Sequence, residues 1–270
     1  MKNKKLWLSI LSIFIVGVVL AAIGFVYNGE KIINGEAVIE GDADMFTIFG
    51  NKKHLVSSKD IEVYNVDIGE FNSFDISLVA EDVEFIKSDE FKLEINDFKD
   101  EKDKTIQYSN NNGKLVVKRK SNVKIGFNFN FNSTLTYLKV YYKDDINFDN
   151  SLVSTISGNI NINNLNVDNL NISSTSGDII AENIKCNDLS INTISGNTKF
   201  SKINSNKSDF NTTSGDISIS DCNANELKAS SISGNVTLTN NKINDTITTN
   251  TTSGDLRGND NECDEFKSES

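Results

Sequence analysis

Few side chains in this 270-residue chain have the types needed for catalysis or metal binding, and they are widely separated. There is one histidine, His54, and there are three cysteines, Cys186, Cys222 and Cys263. No CxxC pair or Cys/His spacing predicts a zinc site, and no nucleophile–base motif surrounds His54. The sequence therefore predicts a protein that is not an enzyme and that holds no metal and no cofactor.

Three regularly spaced aspartates, Asp178, Asp216 and Asp255, could form a calcium ladder. Each follows a Ser-Gly pair, but an asparagine occupies the same place in the units between them. If each unit adds one strand, successive carboxylates lie about 9.6 Å apart, which is too far to share one ion. A role in capping a turn is therefore favoured for these residues.

Charge and side-chain type argue against two further classes of function, a nucleic-acid-binding protein and a glycan-active enzyme. The formal net charge of −11 excludes a nucleic-acid partner, because neutralising phosphates requires clustered lysine and arginine. A glycan-cleaving β-helix needs paired carboxylates, but between 151 and 258 no unit stacks two carboxylates beside a base, and Arg257 is the sole arginine there.

A tripeptide, Ser-Gly-Asn or Ser-Gly-Asp, occurs six times in the second half of the chain. Its glycines are separated by 19, 19, 19, 19 and 20 residues. A fixed period of this length indicates one structural unit per repeat, stacked on its neighbours. The turn glycines are Gly158, Gly177, Gly196, Gly215, Gly234 and Gly254.

The residues between these glycines alternate as strands do. Apolar side chains recur five positions before each glycine and two, four, seven and twelve positions after it, and no proline interrupts the pattern. We expect an all-β parallel β-helix, or β-solenoid, with rungs of about 19 residues, whose handedness stays open. Glycine would supply a positive φ or a tight turn at the corner, and the following Asn or Asp would tolerate that turn or bond within it.

The N-terminus predicts a membrane anchor. Residues 6–27 carry no charge and are long enough to span a hydrocarbon core of about 30 Å as one transmembrane helix. The basic tail 1–5 is expected in the cytoplasm and the C-terminal domain outside the cell. A cleaved signal peptide is the alternative interpretation, although its apolar region would be shorter.

The remaining boundaries follow from changes in pattern. Residues 28–59 form a juxtamembrane linker, and 60–149 read as irregular strands that form either an N-terminal cap with the first rungs or a separate domain. The repeat solenoid covers 150–258, and 259–270 is an acidic tail.

One column of residues, two positions before each glycine, is predicted to point outward because it is out of phase with the apolar columns. It could form a contact stripe, or it could reflect the preference of β-branched residues for strands. The candidate contact stripe consists of Ile156, Thr175, Ile194, Thr213, Ile232 and Thr252.

The basic N-terminus, the membrane segment and the alternating TISGN and TSGDI units together resemble the adhesin-like β-strand-repeat family of Gram-positive and related envelope proteins. This resemblance implies the solenoid fold and brings no catalytic residues. We expect a non-catalytic, membrane-anchored module that contacts an envelope polymer or a surface protein. The alternative is a regulatory envelope-stress protein that acts through a membrane partner.

Overall fold

The computed structural model describes residues 61–100, 104–120 and 136–269, and every regular element in these ranges is a β-strand. The predicted all-β class is therefore confirmed, and the parallel pairing of successive rungs confirms the solenoid. No helix in the described ranges is long and apolar enough to cross a membrane. The predicted transmembrane helix 6–27, the linker 28–59 and His54 lie outside the described residues.

Within the described residues, twenty-two strands build the solenoid. The first seven are β1 (Ile61–Asp67), β2 (Ser73–Ser77), β3 (Asp82–Ser88), β4 (Lys92–Phe98), β5 (Ile106–Asn111), β6 (Lys114–Arg119) and β7 (Tyr137–Lys143). The others are β8 (Asn147–Phe148), β9 (Ser151–Thr155), β10 (Ile160–Asn163), β11 (Asn166–Val167), β12 (Asn169–Ser174), β13 (Ile179–Glu182), β14 (Asp188–Thr193), β15 (Thr198–Ser201), β16 (Lys207–Thr212), β17 (Ile217–Ser220), β18 (Asn223–Ser231), β19 (Val236–Thr239), β20 (Lys242–Thr251), β21 (Leu256–Asn259) and β22 (Glu265–Glu269).

In the part of the chain that the structure describes, two ten-stranded sheets form the long faces. Sheet A has the order β1-β4-β7-β3-β10-β13-β15-β17-β19-β21, and sheet B has the order β22-β20-β18-β16-β14-β12-β9-β2-β6-β5. From β9 onward each strand pairs in parallel with its counterpart one rung later, without slippage except at a bulge between Ala224 and Glu226. The pair β8–β11 and a line of single bridges form a narrow third side.

The N-terminal strands belong to the same two sheets, but their spatial order differs from their order in the chain. The rung β2–β3 lies between β9–β10 on one side and β6–β7 on the other. The chain therefore completes an outer rung before it returns to start the regular repeats. Beyond that outer rung, β4, β1 and β5 pair antiparallel, so the solenoid begins with a short antiparallel cap.

The apolar columns face inward as predicted. In a middle rung Ile217 and Ile219 are 1% exposed, and Phe210 on the opposite sheet is also 1% exposed. At the N-terminal end the core is more aromatic, with Phe74 and Phe85 rings 4.8 Å apart. Burial of these side chains makes the largest favourable contribution to the stability of the fold. A single rung leaves its apolar side chains exposed, and only stacking of the rungs encloses them.

A column six positions after each glycine takes the left-handed conformation. Its φ values lie between 53° and 61°, in the region where Asn and Asp are enriched among non-glycine residues. The turn between sheet A and the narrow side therefore depends on these residues. They are Asn164, Asn183, Lys202, Asp221, Asn240 and Asp260.

Candidate functional site

The turn glycines stack directly on one another at the corner between sheet B and sheet A. A Cβ added at Gly177, Gly196, Gly215, Gly234 or Gly254 would lie 1.9 to 2.0 Å from the carbonyl oxygen of the preceding turn glycine. Among the described glycines only Gly69 and Gly113 have a positive φ, so of the two predicted roles, a positive φ or a tight turn, the positive φ is wrong. Glycine is required because backbone passes where a side chain would begin.

A buried hydroxyl three positions before each glycine fixes the corner. The oxygen accepts a hydrogen bond from the glycine N–H at 2.8 to 3.2 Å, for example from Gly196 to Thr193 Oγ1 and from Gly215 to Thr212 Oγ1. These hydroxyl residues are only 5 to 7% exposed, so water does not replace the bond. They are Thr155, Ser174, Thr193, Thr212, Ser231 and Thr251.

Thr212→Val is expected to lower the free energy of unfolding by about 1.5 kcal/mol, because valine keeps the shape but leaves the buried Gly215 N–H without its acceptor. Thr212→Ser keeps the oxygen and is expected to cost clearly less. Urea denaturation of both variants checks this, and a Val variant as stable as the Ser variant would contradict the capping role.

The Asn or Asp after each glycine bonds between rungs rather than within its own turn, which corrects the sequence-based expectation. From Asn159 to Asn235, its side-chain oxygen accepts the backbone N–H of the equivalent residue one rung later at 2.7 to 3.0 Å, as Asp178 does from Asn197. The ladder begins upstream at Asp82, which accepts from Asn159. Asp178 and Asp216 therefore act as ladder acceptors, whereas Asp255 donates only its backbone N–H to the ladder and its carboxylate pairs with Arg257.

Glu81 replaces glycine at the first corner and carries a buried ion pair. Its carbonyl oxygen is the atom on which Gly158 stacks. One carboxylate oxygen accepts the N–H groups of Val79 and Ala80 at 3.0 Å, and the other pairs with Arg119 at the end of β6. This pair connects the N-terminal hairpin β5–β6 to the β2–β3 rung. Glu81 is 0% exposed, so water does not screen the pair.

The outward column two positions before each glycine lies along this corner. Ile156, Ile194 and Ile232 are 48 to 51% exposed, and the threonines between them are half-buried or exposed. Isoleucines on alternate rungs lie about 9.6 Å apart by strand spacing. Val79, half-buried, occupies the same place on the β2–β3 rung. The candidate contact stripe, called the corner stripe from here on, therefore extends from Val79 to Thr252.

A second cluster of polar side chains, on β4 and β7, is hydrogen-bonded within the protein. Glu94 on β4 accepts from Lys139 at 2.9 Å and from the Tyr137 and Tyr141 hydroxyls at 3.0 and 3.1 Å, and these bonds, that to Lys139 foremost, lower the pKa of Glu94. Burial raises the pKa of Cys222 to about 12, which disfavours a thiolate there. In the described ranges no three His, Cys, Asp or Glu side chains are grouped to hold a metal ion.

The fold and the corner define a class: parallel β-solenoids with one glycine-stacked corner per rung and a ladder of side-chain oxygens beside it. The sequence profile of the Toastrack DUF4097 family matches residues 71–262, more than half of the chain, and the chain belongs to this family. The predicted resemblance to an adhesin-like repeat family is confirmed at this level. No curated protein matches the chain.

The chain is also similar to solved structures, at low sequence identity. A “putative adhesin” from Bacteroides fragilis is 17% identical, with 78% of this chain and 98% of that chain covered and a TM-score of 0.46. A “putative lipid binding protein” from Parabacteroides distasonis is 21% identical, with 78% and 97% covered and a TM-score of 0.40.

Proposed function

We propose that the chain is a non-catalytic, membrane-anchored module of the cell surface that contacts an envelope polymer or a surface protein through the corner stripe. Membrane anchoring rests on the uncharged segment 6–27 and on the lysines that precede it. The observation that carries the contact function is the line of half-exposed isoleucines along a rigid corner.

Two properties of the corner stripe support a contact role: its isoleucine side chains are exposed, and the fold fixes their positions. Aliphatic side chains in water cost free energy that a partner surface recovers by covering them. The glycine stack and the ladder of side-chain oxygens hold each rung in register, so the isoleucines form a pre-organised line and lose little entropy on binding. A single exposed isoleucine would need no explanation, but three at one repeat position do.

Replacing Ile156, Ile194 and Ile232 together with lysine is expected to lower binding of the full chain to isolated cell envelopes at least tenfold, when its N-terminal segment is already held in lipid nanodiscs. Each lysine removes apolar contact area and adds a charge that a partner would have to desolvate. Stability is expected to change little, since exposed positions tolerate charge within about 0.5 kcal/mol each. Co-sedimentation with envelopes and thermal unfolding measure the two effects.

A matched control places the same three charges on the outer face of sheet A, at Asn161, Ser218 and Thr237, all half-buried outward positions. This control is expected to bind as the parent does. Equal binding by both triple variants and the parent would reject the stripe as the contact surface. If binding is unchanged but chemical cross-linking captures one membrane protein through the N-terminal segment, the regulatory alternative gains support.

A further inference from the structure

Acidic side chains accompany the corner stripe on alternate rungs. Ile156, Ile194 and Ile232 stand on every second rung, and the rungs between them carry threonine at that position. Three positions after each threonine, on the other side of the turn glycine, stands an aspartate, whereas the isoleucine rungs have asparagine there. These aspartates are Asp178, Asp216 and Asp255, and Asp82 takes the same place on the β2–β3 rung. The corner therefore presents isoleucine and carboxylate in turn, each with a spacing of two rungs.

Two of these carboxylates are exposed and carry no cation. Asp178 and Asp216 are both exposed, and each uses its Oδ1 atom to accept the ladder N–H of the next rung. In the part of the chain that the structure describes, neither forms an ion pair with lysine or arginine, whereas Asp255 pairs with Arg257 at 3.0 Å. The second oxygen of Asp178 and of Asp216 can therefore accept from a donor outside the protein.

The carboxylates determine the charge of a partner that covers the isoleucines. They favour a cationic partner and disfavour a polyanion such as a phosphate-rich polymer. A second copy of the chain is disfavoured as well, because every register that places isoleucine on isoleucine also brings the aspartate rungs opposite one another. The net charge of −11 adds repulsion between copies at longer range.

The spacing of the isoleucines selects the conformation of a polypeptide partner. Isoleucines on alternate rungs lie about 9.6 Å apart. Side chains on one face repeat about every 6.7 Å in an extended strand, about every 10.5 Å over seven residues of an α-helix, and about every 9.3 Å over three residues of a polyproline II helix. From Ile156 to Ile232 the polyproline II repeat falls short by only about 0.6 Å. An apolar residue at every third position would therefore meet each isoleucine in turn.

Exposed serines supply hydrogen-bond donors along the same line. Ser176, Ser195 and Ser214 lie between the corner stripe and the turn glycines, and all three are exposed. Their hydroxyls make no hydrogen bond to the residues that the structure describes. A polyproline II helix has no internal hydrogen bonds, so its carbonyl oxygens are available to accept from these hydroxyls.

We propose that the corner stripe binds a basic segment of a surface protein in the polyproline II conformation. Apolar residues at every third position pack on the isoleucines, and lysine or arginine side chains between them pair with Asp178 and Asp216. This inference rests on the proposed contact function and narrows its partner to a basic polypeptide.

A designed peptide of four Leu-Pro-Lys repeats is the probe. Proline holds both itself and the preceding residue near the polyproline II conformation. The full chain, held in nanodiscs of zwitterionic lipid, is expected to bind this peptide saturably in fluorescence anisotropy, and more weakly as salt is raised. Four Leu-Pro-Glu repeats are expected not to bind. A peptide of the same composition whose leucines are not at every third position is expected to bind at least threefold more weakly. No binding of the probe, or equal binding of the reordered peptide, would overturn the proposal.

Replacing Asp178 and Asp216 together with asparagine is expected to weaken probe binding at least threefold, because two exposed ion pairs are lost. Asparagine already fills this ladder position on alternate rungs, so the inter-rung hydrogen bond and the fold are kept. The matched control changes Asp188 and Asp245 to asparagine, on β14 and β20 about 20 Å before the corner by strand rise. It alters the net charge equally and is expected to bind as the parent does. Equal losses in both double variants would mean that only net charge matters, which contradicts the proposal.

Isolated cell envelopes separate this inference from the proposed function. The Asp178 and Asp216 double variant is expected to bind envelopes more weakly than the parent, and protease treatment of the envelopes is expected to abolish binding of the parent. If the triple-lysine variant of the corner stripe loses envelope binding while the double variant keeps it, the contact function stands and the basic partner is rejected. Parent binding that survives protease treatment would likewise reject a polypeptide and identify an envelope polymer instead. A triple-lysine variant that binds as the parent does would reject the contact function itself.

Discussion

Replacing Gly215 with alanine is expected to lower the free energy of unfolding by about 3 kcal/mol, near the upper end of the overpacking range. The added Cβ would lie 2.0 Å from the Gly196 carbonyl oxygen and 2.7 Å from its carbon. Both atoms are backbone in a paired parallel rung, so neither can rotate away. Relief requires the two rungs to separate, which would lengthen inter-strand hydrogen bonds and open the core beside the corner.

Gly258→Ala supplies the matched control, because an added Cβ there meets as its nearest atom Asn261 Nδ2 at 3.5 Å, an ordinary contact. Neither glycine has a positive φ, so the comparison isolates steric overlap from backbone strain. The control is expected to change stability by less than about 0.5 kcal/mol. Urea denaturation measures both, and equal costs at the two glycines would show that the corner tolerates a side chain.

The fold was predictable because its information is local and repeated. The period of the glycines gives the rung length, and the phase of the apolar columns gives the inward faces, as the burial of Ile217 and Phe210 shows. The corner stripe was predictable in the same way, because a residue out of phase with the core must point outward in a strand. Its exposed isoleucines follow from alternation alone.

The reason for the glycines could not be derived from the sequence, since a positive φ and a close approach of backbone both require glycine. Only the stacked geometry distinguishes them. The left-handed column had a usable signal that the sequence analysis missed: Asn or Asp stands six positions after five of the six glycines, and Lys202 obscures the pattern at the remaining one.

The N-terminal part was less predictable because its pairing is non-local. Glu81 and Asp82 take the places of glycine and asparagine at the first corner, so a search for the tripeptide does not find this rung. For the same reason Val79 was missed as the first member of the corner stripe. The placement of β2–β3 between β6–β7 and β9–β10 depends on contacts between residues about 77 positions apart, which no local pattern encodes.

The inward columns also predict a sharp difference between adjacent residues of β17. Ile217→Asp is expected to lower the free energy of unfolding by about 4 kcal/mol, because the site would bury an unpaired carboxylate. Ile217 is 1% exposed, and its partners in neighbouring rungs are Thr198 and Val236, neither of which carries a positive charge. The variant is therefore expected to unfold at lower urea and to gain stability as the pH falls and the carboxyl becomes protonated.

Ser218→Asp introduces the same side chain one position later, on the outer face, and is expected to change stability by less than about 0.5 kcal/mol. Its cross-strand partners, Lys199 and Thr237, are compatible with a negative charge, and Lys199 favours it. Urea denaturation at two pH values separates the two sites, since the Ile217 variant should respond to pH and the Ser218 variant should not. Similar losses of stability at both positions would mean that the outer face of sheet A is covered in the folded protein. The assignment of outward-facing residues, including those of the corner stripe, would then be wrong.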